Sequence, residues 1–228
     1  MPAETVLEKP ANRQTQPVTW QTLAGLAGAL IFALTPLARW LAPGEAMGAM
    51  LTREAVWWAC AAAILVWLRF GEGLPLSSIG FRRFTWKSLV FGLLAAIATT
   101  AIMILQFAMI IPMLHLDASA AIAAQQSILR TPYWFRVLLV LRTGVVEEIL
   151  FRGYLIEKIV QVAGSLWIAI LCSAAAFTYA HLAGWGLVHL IPVAGAGLVF
   201  ALLYAWRRDL GSNMLGHFIA DGLGFLTR

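Results

Sequence analysis

Residues Ser88–Leu114 read SLVFGLLAAIATTAIMILQFAMIIPML, a run of 27 residues without a single Asp, Glu, Lys or Arg. A transmembrane α-helix needs about 20 consecutive apolar residues to cross the hydrocarbon core of a bilayer. This stretch therefore predicts a membrane-spanning helix. Similar apolar runs recur from about Gln21 to the C-terminal end of the sequence.

The composition extends this interpretation to the whole chain. Of the 228 residues, 61% are hydrophobic and 12% are charged, whereas a soluble domain carries about 25% charged residues. Too few charges are left to cover a surface that faces water. We therefore predict an all-α, polytopic membrane helix bundle with about seven transmembrane helices.

The order of apolar runs and polar breaks predicts where these helices lie. Residues 1–20 form a polar segment without the pattern of a cleaved signal peptide, and residues 117–130 are mildly amphipathic, which is typical of a segment at the membrane surface. Pro36 is expected to kink the first span. The predicted spans are Gln21–Leu41, Glu54–Phe70, Ser88–Leu114, Tyr133–Val162, Ser165–Leu182, Val188–Trp206 and Gly211–Leu226.

The net charge of +5 is interpreted as an orientation signal and not as nucleic-acid binding, because the basic residues lie in short loops and form no patch. The most basic loops are the linker 71–87, the bend 152–164 and the turn 206–209. If all three are cytoplasmic, the N-terminus is cytoplasmic as well. The compact chain favours a bacterial inner membrane as its location.

Ionisable residues inside the predicted spans are the most informative feature for function. A charge in the bilayer costs at least roughly 2.5–3.5 kcal/mol, so such residues face the protein interior and usually serve a function. Three separate helices supply them, which is more than a structural ion pair requires. These residues are Arg142, Glu147, Glu148, Arg152, His181, His217 and Asp221.

The spacing of these residues is helical. Glu148 and Arg152 are four residues apart and are expected to pair, and the same spacing relates His217 to Asp221. Glu147 and His181 lie equally far from Gly164 on either side. A helical hairpin that turns at Gly164 therefore places both side chains at one level, which we expect to be in the cytoplasmic half of the bundle. That hairpin is expected to protrude into the cytoplasm, because Arg152 and Lys158 would otherwise be immersed in the membrane.

A glutamate with two histidines is suited to the activation of water. A shielded glutamate can act as a base near neutral pH, and one histidine can share or relay its proton. A second histidine with its partner four residues on can hold an oxyanion. The chemistry indicated is hydrolysis of an amide beside or within the membrane. Two histidines and a glutamate could equally form a three-ligand zinc site, with Glu147, His181 and His217 as ligands, although the HExxH pattern is absent.

Three motifs in this order resemble the CPBP family, also called Abi, of CAAX-processing and bacteriocin-processing intramembrane proteases. They are EExxxR at 147–152, FxxxH at 177–181 and, at 217–221, HxxxN with Asp in the last place. The resemblance covers about Tyr133–Leu226 and identifies residues 133–228 as catalytic core helices. Residues 21–132 would then be N-terminal transmembrane helices with the basic cytoplasmic linker 71–87.

The resemblance implies a role for each matching residue. Glu147 would activate water with the help of His181, while His217 and Asp221 would stabilise the oxyanion. Three residues, namely Glu148, Arg152 and Phe177, would support the site. Asp221 departs from the usual Asn, and an ionised Asp cannot donate a hydrogen bond, so it would orient His217 or be protonated. A metal-free glutamate mechanism is favoured, so no cofactor is required, with zinc as the alternative.

The favoured function is an intramembrane endopeptidase acting on a membrane-anchored or lipidated substrate. The open substrate classes are a CAAX-like tail, a leader peptide and a C-terminal sorting segment. The GxSG motif of rhomboid proteases and the GxGD motif of aspartyl intramembrane proteases are both absent. The alternative is a non-catalytic membrane binding protein of bacteriocin-immunity or scaffold type. A proton-coupled transporter is less consistent with a sequence that has no repeated halves.

Overall fold

The structure, a computed structural model, describes residues 17–227. Most of the predicted cytoplasmic segment 1–20 lies outside these residues. All regular structure within them is helical, which confirms the predicted fold class. The main helices are α1 (Trp20–Leu34), α2 (Leu37–Leu41), α3 (Met47–Gly71), α4 (Trp86–Met113), α5 (Ser119–Leu129), α6 (133–163), α7 (Leu166–Trp185), α8 (Leu190–Arg207) and α9 (Leu210–Phe225).

Four of these helices, α3, α4, α7 and α8, are long and apolar enough to cross a membrane, and α1 is a shorter apolar helix. The chain is therefore an integral membrane protein. The total of seven spans stays a prediction. Helix α6 is long enough to cross a membrane, but the charges that make it interesting, among them Arg142, Glu148 and Arg152, lower its hydropathy.

The first predicted span is divided in two. Helix α1 ends at Leu34, Thr35 adopts an extended conformation, and α2 begins after Pro36. The residue before a proline is disfavoured in the helical region, so the helix stops where a kink was predicted. The second span also differs from the prediction, since α3 begins at Met47 and not at Glu54. Glu54 consequently lies inside the helix, where it is buried.

Helix α6 is the central helix of the bundle. Every residue from Val146 to Ile156 is buried, and this stretch belongs to a π-helical segment, Thr143–Ile156, with i→i+5 hydrogen bonds. Helices α1, α3, α7, α8 and α9 all pack against it. Its charged side chains are therefore surrounded by protein and not by lipid.

The hairpin between α6 and α7 turns at Gly164, as predicted. Gly164 has a φ of +68°, the left-handed conformation that favours glycine at the end of a helix. The reason for expecting this hairpin to protrude was wrong. Arg152 pairs with Glu148, and Lys158 pairs with Glu72, so both cations are compensated inside the protein.

The connections between helices gather at two opposite ends of the bundle. At the first end, which we call the basic end, Leu210 N–H donates to the Gly80 carbonyl at 3.0 Å and Arg208 bonds both Glu157 and the Ser78 carbonyl. The basic end comprises residues 17–19, 72–85, 157–165 and 208–209.

The second end, which we call the cavity end, holds the other connections. Arg53 donates to the Gly44 carbonyl at 2.6 Å, and Arg136 donates to the Phe225 carbonyl at 2.8 Å. The cavity end comprises residues 35–46, 114–132, 181–189 and 225–227.

Helices α4 and α9 approach closely where both carry glycine. A Cβ atom on Gly216 would lie 2.9 Å from the Gly92 carbonyl oxygen. Small residues at such a crossing let two membrane helices pack backbone to backbone. This contact fixes the position of α9, and with it His217, against the rest of the bundle.

Candidate functional site

A cavity of about 860 Å³ lies inside the bundle and is lined by most of the ionisable residues predicted for the site. All nine main helices, α1 to α9, contribute to its lining. Its ionisable lining includes Glu54, Arg142, Glu147, His181, His217 and Asp221. Five of these six were singled out from the sequence, and the sixth, Glu54, was not.

Glu147 and Arg142 form the first part of the site. The Arg142 guanidinium donates one hydrogen bond to Glu147 and another, of 3.1 Å, to Glu54. Arg142 stands five residues before Glu147, at the start of the π-helical segment, and i→i+5 hydrogen bonding makes residues at this spacing near neighbours. Arg142 is thus a counter-ion shared by two buried carboxylates.

Glu147 and His181 face each other across the α6–α7 hairpin. Glu147 Oε2 lies 4.0 Å from His181 Nε2, so the prediction that both side chains share one level is confirmed. Glu147 Oε2 is buried and accepts no hydrogen bond from the part of the chain that the structure describes.

The backbone determines which nitrogen of His181 carries the proton. His181 Nδ1 lies 2.8 Å from the Phe177 carbonyl oxygen, which can only accept. Nδ1 therefore donates, and in a neutral imidazole Nε2 is then an acceptor. Two acceptor atoms, Glu147 Oε2 and His181 Nε2, thus face each other at the cavity wall.

A second polar network surrounds Glu148, which is fully buried. Glu148 Oε1 accepts from Arg152 at 3.0 Å and from His217 Nδ1 at 2.8 Å, and Oε2 accepts from Asn213 at 3.0 Å. The predicted pair of Glu148 and Arg152 is confirmed, and its carboxylate also orients His217. Sequence reasoning missed Asn213, although its position four residues before His217 in an apolar helix was a usable signal.

His217 directs its other nitrogen towards Asp221. The distance from Nε2 to Asp221 Oδ2 is 3.6 Å, which is too long for a hydrogen bond but close enough for electrostatic interaction. Asp221 is the more exposed of the two, with 24% of its side chain accessible. The edge of the His217 ring is therefore available to a group in the cavity.

Aromatic rings hold both histidines in place. The ring centres of Phe177 and His181 lie 4.7 Å apart, and the Arg152 guanidinium covers the Phe177 ring at 4.1 Å from its centre. Phe200 stacks on His217 with their ring centres 5.0 Å apart. Phe177 thus lies between the two polar networks, and its supporting role stays a prediction. His189 also lines the cavity, stacked on Trp185 at 4.3 Å.

The site lies towards the cavity end of the bundle, and its expected place in the cytoplasmic half stays a prediction. His181 is the C-terminal cap of the long part of α7, at the cavity end, and Asp221 lies in the last turns of α9 at the same end. The cluster therefore lies nearer the cavity end than the basic loops. His217 itself stands about midway along α9, two turns from its first residue.

A shared metal does not fit the three alternative zinc ligands as they stand. Among residues 17–227, no three His, Cys, Asp or Glu side chains are grouped to hold one ion. Glu147 is engaged by Arg142, whereas the hydrogen bond from His217 Nδ1 to Glu148 leaves Nε2 as the ring nitrogen that could bind a metal.

Comparison with known families supports the motif assignment. Residues 129–223 match the family model described as Rce1-like, type II CAAX prenyl endopeptidase. This segment contains every site residue predicted from the sequence and excludes Glu54. No curated protein and no solved structure matches the chain.

Proposed function

We propose that the chain is a glutamate-dependent intramembrane endopeptidase, since residues 129–223 match the family model described as Rce1-like, type II CAAX prenyl endopeptidase. The observation that carries the proposal is the approach of Glu147 Oε2 to His181 Nε2 at 4.0 Å on the wall of a large internal cavity. Two acceptors at this separation suit one water molecule that donates a hydrogen bond to each.

The proposed reaction is hydrolysis of a peptide bond by that water. Glu147 takes a proton from the water while the oxygen of that water forms a bond to the scissile carbonyl carbon. His181 holds the second hydrogen of the water and fixes its orientation. As the carbon–nitrogen bond breaks, the proton held by Glu147 passes to the leaving amine. The products are a new carboxylic acid, which keeps the second hydrogen of the water, and a new amine, and Glu147 is regenerated as a carboxylate.

The second network is proposed to stabilise the negative oxygen of the intermediate. When His217 carries a proton on each nitrogen, Nδ1–H donates to Glu148 and Nε2–H is directed into the cavity. A donor aimed at the developing oxyanion is typically worth about 10²–10³ in kcat. Asp221, at 3.6 Å from Nε2, would orient this ring. Arg152 and Asn213 hold the Glu148 carboxylate in position.

The substrate proposed is a membrane-anchored or lipidated polypeptide, cut near the membrane face. A CAAX-like tail, a leader peptide and a C-terminal sorting segment all present such a bond, and the lipid bilayer holds enzyme and substrate together. We place the chain in a bacterial inner membrane with its N-terminus in the cytoplasm. No nucleic acid is expected as a partner.

Comparison of substituted proteins in cells of the source organism tests this function. We expect Glu147→Ala and His181→Ala each to leave the same set of membrane-anchored proteins uncut, as read by mass spectrometry of their C-termini. An Asp117→Asn protein, altered at an exposed carboxylate outside the cavity, should resemble wild type. Unchanged termini in both alanine variants, at normal protein levels, would support the non-catalytic alternative, a binding protein of bacteriocin-immunity or scaffold type.

Glu54 gives a further prediction about the same reaction. The substitution Glu54→Gln removes one of the two carboxylates that share Arg142, so the guanidinium interacts more strongly with Glu147 and weakens it as a base. We expect kcat to fall about tenfold, roughly 1.4 kcal/mol in the barrier, with little change in KM. Kinetics of the purified protein on an identified substrate measure both values.

The control for this prediction is thermal stability. Because Arg142 and Glu147 remain a neutral pair, Glu54→Gln should unfold near the wild-type temperature. An unchanged kcat, or a large loss of stability, would show that Glu54 has only a structural role.

A further inference from the structure

The exposed residues that line the cavity lie mainly at the cavity end of the bundle, and Ile104 of α4, 62% exposed, lines its side. Its lining at the cavity end includes Arg39 and Glu45, whose side chains are 47% and 62% exposed. Towards the basic end the lining consists of buried rings, Phe151 and Phe200. A substrate segment must therefore enter from the cavity end.

Helix α5 lies across this entrance. Its residues Ile122 and Ser127 are exposed and also line the cavity, and a Cβ on Gly186 would touch Ala120 at 3.3 Å. The segment was predicted to lie at a membrane surface. Its position at the mouth places that surface at the cavity end.

Positive charge is distributed unequally between the two ends. Seven Lys and Arg residues lie at or next to the basic end, and four lie at or next to the cavity end within the described residues. Those of the basic end are Arg69, Arg82, Arg83, Lys87, Lys158, Arg207 and Arg208. Those of the cavity end are Arg39, Arg53, Arg130 and Arg136.

Short loops with more Lys and Arg stay in the cytoplasm. The most basic loop here, 72–85, is short, and its Arg82 and Arg83 are exposed. This distribution places the basic end in the cytoplasm. The cavity end, with the entrance to the site, is then on the opposite side of the membrane.

We propose that this site takes its substrate from the non-cytoplasmic face of the membrane, which rests on the proposed endopeptidase function. The substrate is then an exported, membrane-anchored polypeptide whose cleaved segment follows its anchor on that face, as a C-terminal sorting segment does. A lipidated tail on the cytoplasmic face does not reach the entrance. This choice excludes the CAAX-like tail, and of the two remaining classes we take the C-terminal sorting segment as the substrate to test.

Cysteine labelling tests the orientation without any need for activity. The chain has two cysteines, Cys60 and Cys172, and alanine at both gives a cysteine-free background. Two single-cysteine proteins, Ser127→Cys at the mouth and Ser77→Cys at the basic end, are matched because both serines are exposed. Intact cells are treated with a membrane-impermeant maleimide.

We expect the Ser127→Cys protein to be labelled in intact cells. The Ser77→Cys protein should stay unlabelled in intact cells and become labelled only after the cells are opened. Both proteins must be labelled after solubilisation in detergent, which confirms that each cysteine is accessible. A label on Ser77→Cys in intact cells overturns the proposal. So does a Ser127→Cys protein that is labelled only after the cells are opened.

The substrate side of the proposal has its own measurement. Precursors that accumulate in Glu147→Ala cells should lose their tails when protease is added to intact cells. Tails that survive until the cells are opened overturn the assignment of substrate. If the labelling is as expected but no precursor accumulates, the orientation stands and the endopeptidase function fails.

Discussion

Purified Glu147→Gln protein is expected to hydrolyse its substrate about 10²–10⁴ times more slowly than wild type, the usual contribution of a positioned general base. Glutamine has nearly the shape of glutamate, but its amide cannot take the proton of the attacking water. The loss should appear in kcat, because the cavity that binds the substrate is unchanged. Arg142 keeps its hydrogen bond to Glu54 at 3.1 Å, so the fold should persist.

The companion substitution His181→Ala separates a catalytic pair from two independent residues. If Glu147 and His181 hold one water, either loss disables the same step, and the double variant should be no slower than the slower single variant. Residues that act as a unit show this non-additivity. Losses that multiply in the double variant would contradict the shared water. Asp117→Asn, at an exposed carboxylate, serves as the control for loss of charge.

The membrane fold was predictable because hydropathy needs no tertiary information. An uncharged run such as Ser88–Leu114 has few alternatives to a spanning helix, and the structure has a helix over Trp86–Met113. The pairing of Glu148 with Arg152 was equally local, since helical spacing alone brings the two together. The equal height of Glu147 and His181 along the α6–α7 hairpin could be predicted from the single turn at Gly164.

The missing parts of the site depend on contacts between distant helices. Glu54 lies 88 residues from Arg142 in sequence, and their 3.1 Å contact exists only once α3 packs against α6. A charged residue next to an apolar run is usually interpreted as the end of a span, so the burial of Glu54 was not predicted. The distance of the site from the two ends of the bundle depends on the same kind of contact, because residue counting cannot locate the middle of α9 relative to α7.

Arg152→Met is expected to destabilise the protein by about 3–5 kcal/mol, the usual result of removing one partner of a buried ion pair. Arg152 and Glu148 are both fully buried, so the remaining carboxylate cannot recover its interactions from water. The Arg152 guanidinium also donates to the Gly197 carbonyl at 3.2 Å and covers the ring of Phe177. Its removal therefore loosens α8 as well as the site, and unfolding in detergent by heat or denaturant measures the loss.

Arg83→Met is the matched control, because the same substitution at an exposed arginine should change the free energy of unfolding by no more than about 0.5 kcal/mol. The double variant Arg152→Met with Glu148→Met tests the cause. Removing the carboxylate as well should recover part of the loss, since no unpaired charge is then buried. A double variant as unstable as the sum of the single variants would mean that packing, and not the ion pair, sets the requirement for Arg152. An Arg152→Met protein as stable as Arg83→Met would show that the Glu148 carboxylate is held well enough by His217 and Asn213 alone.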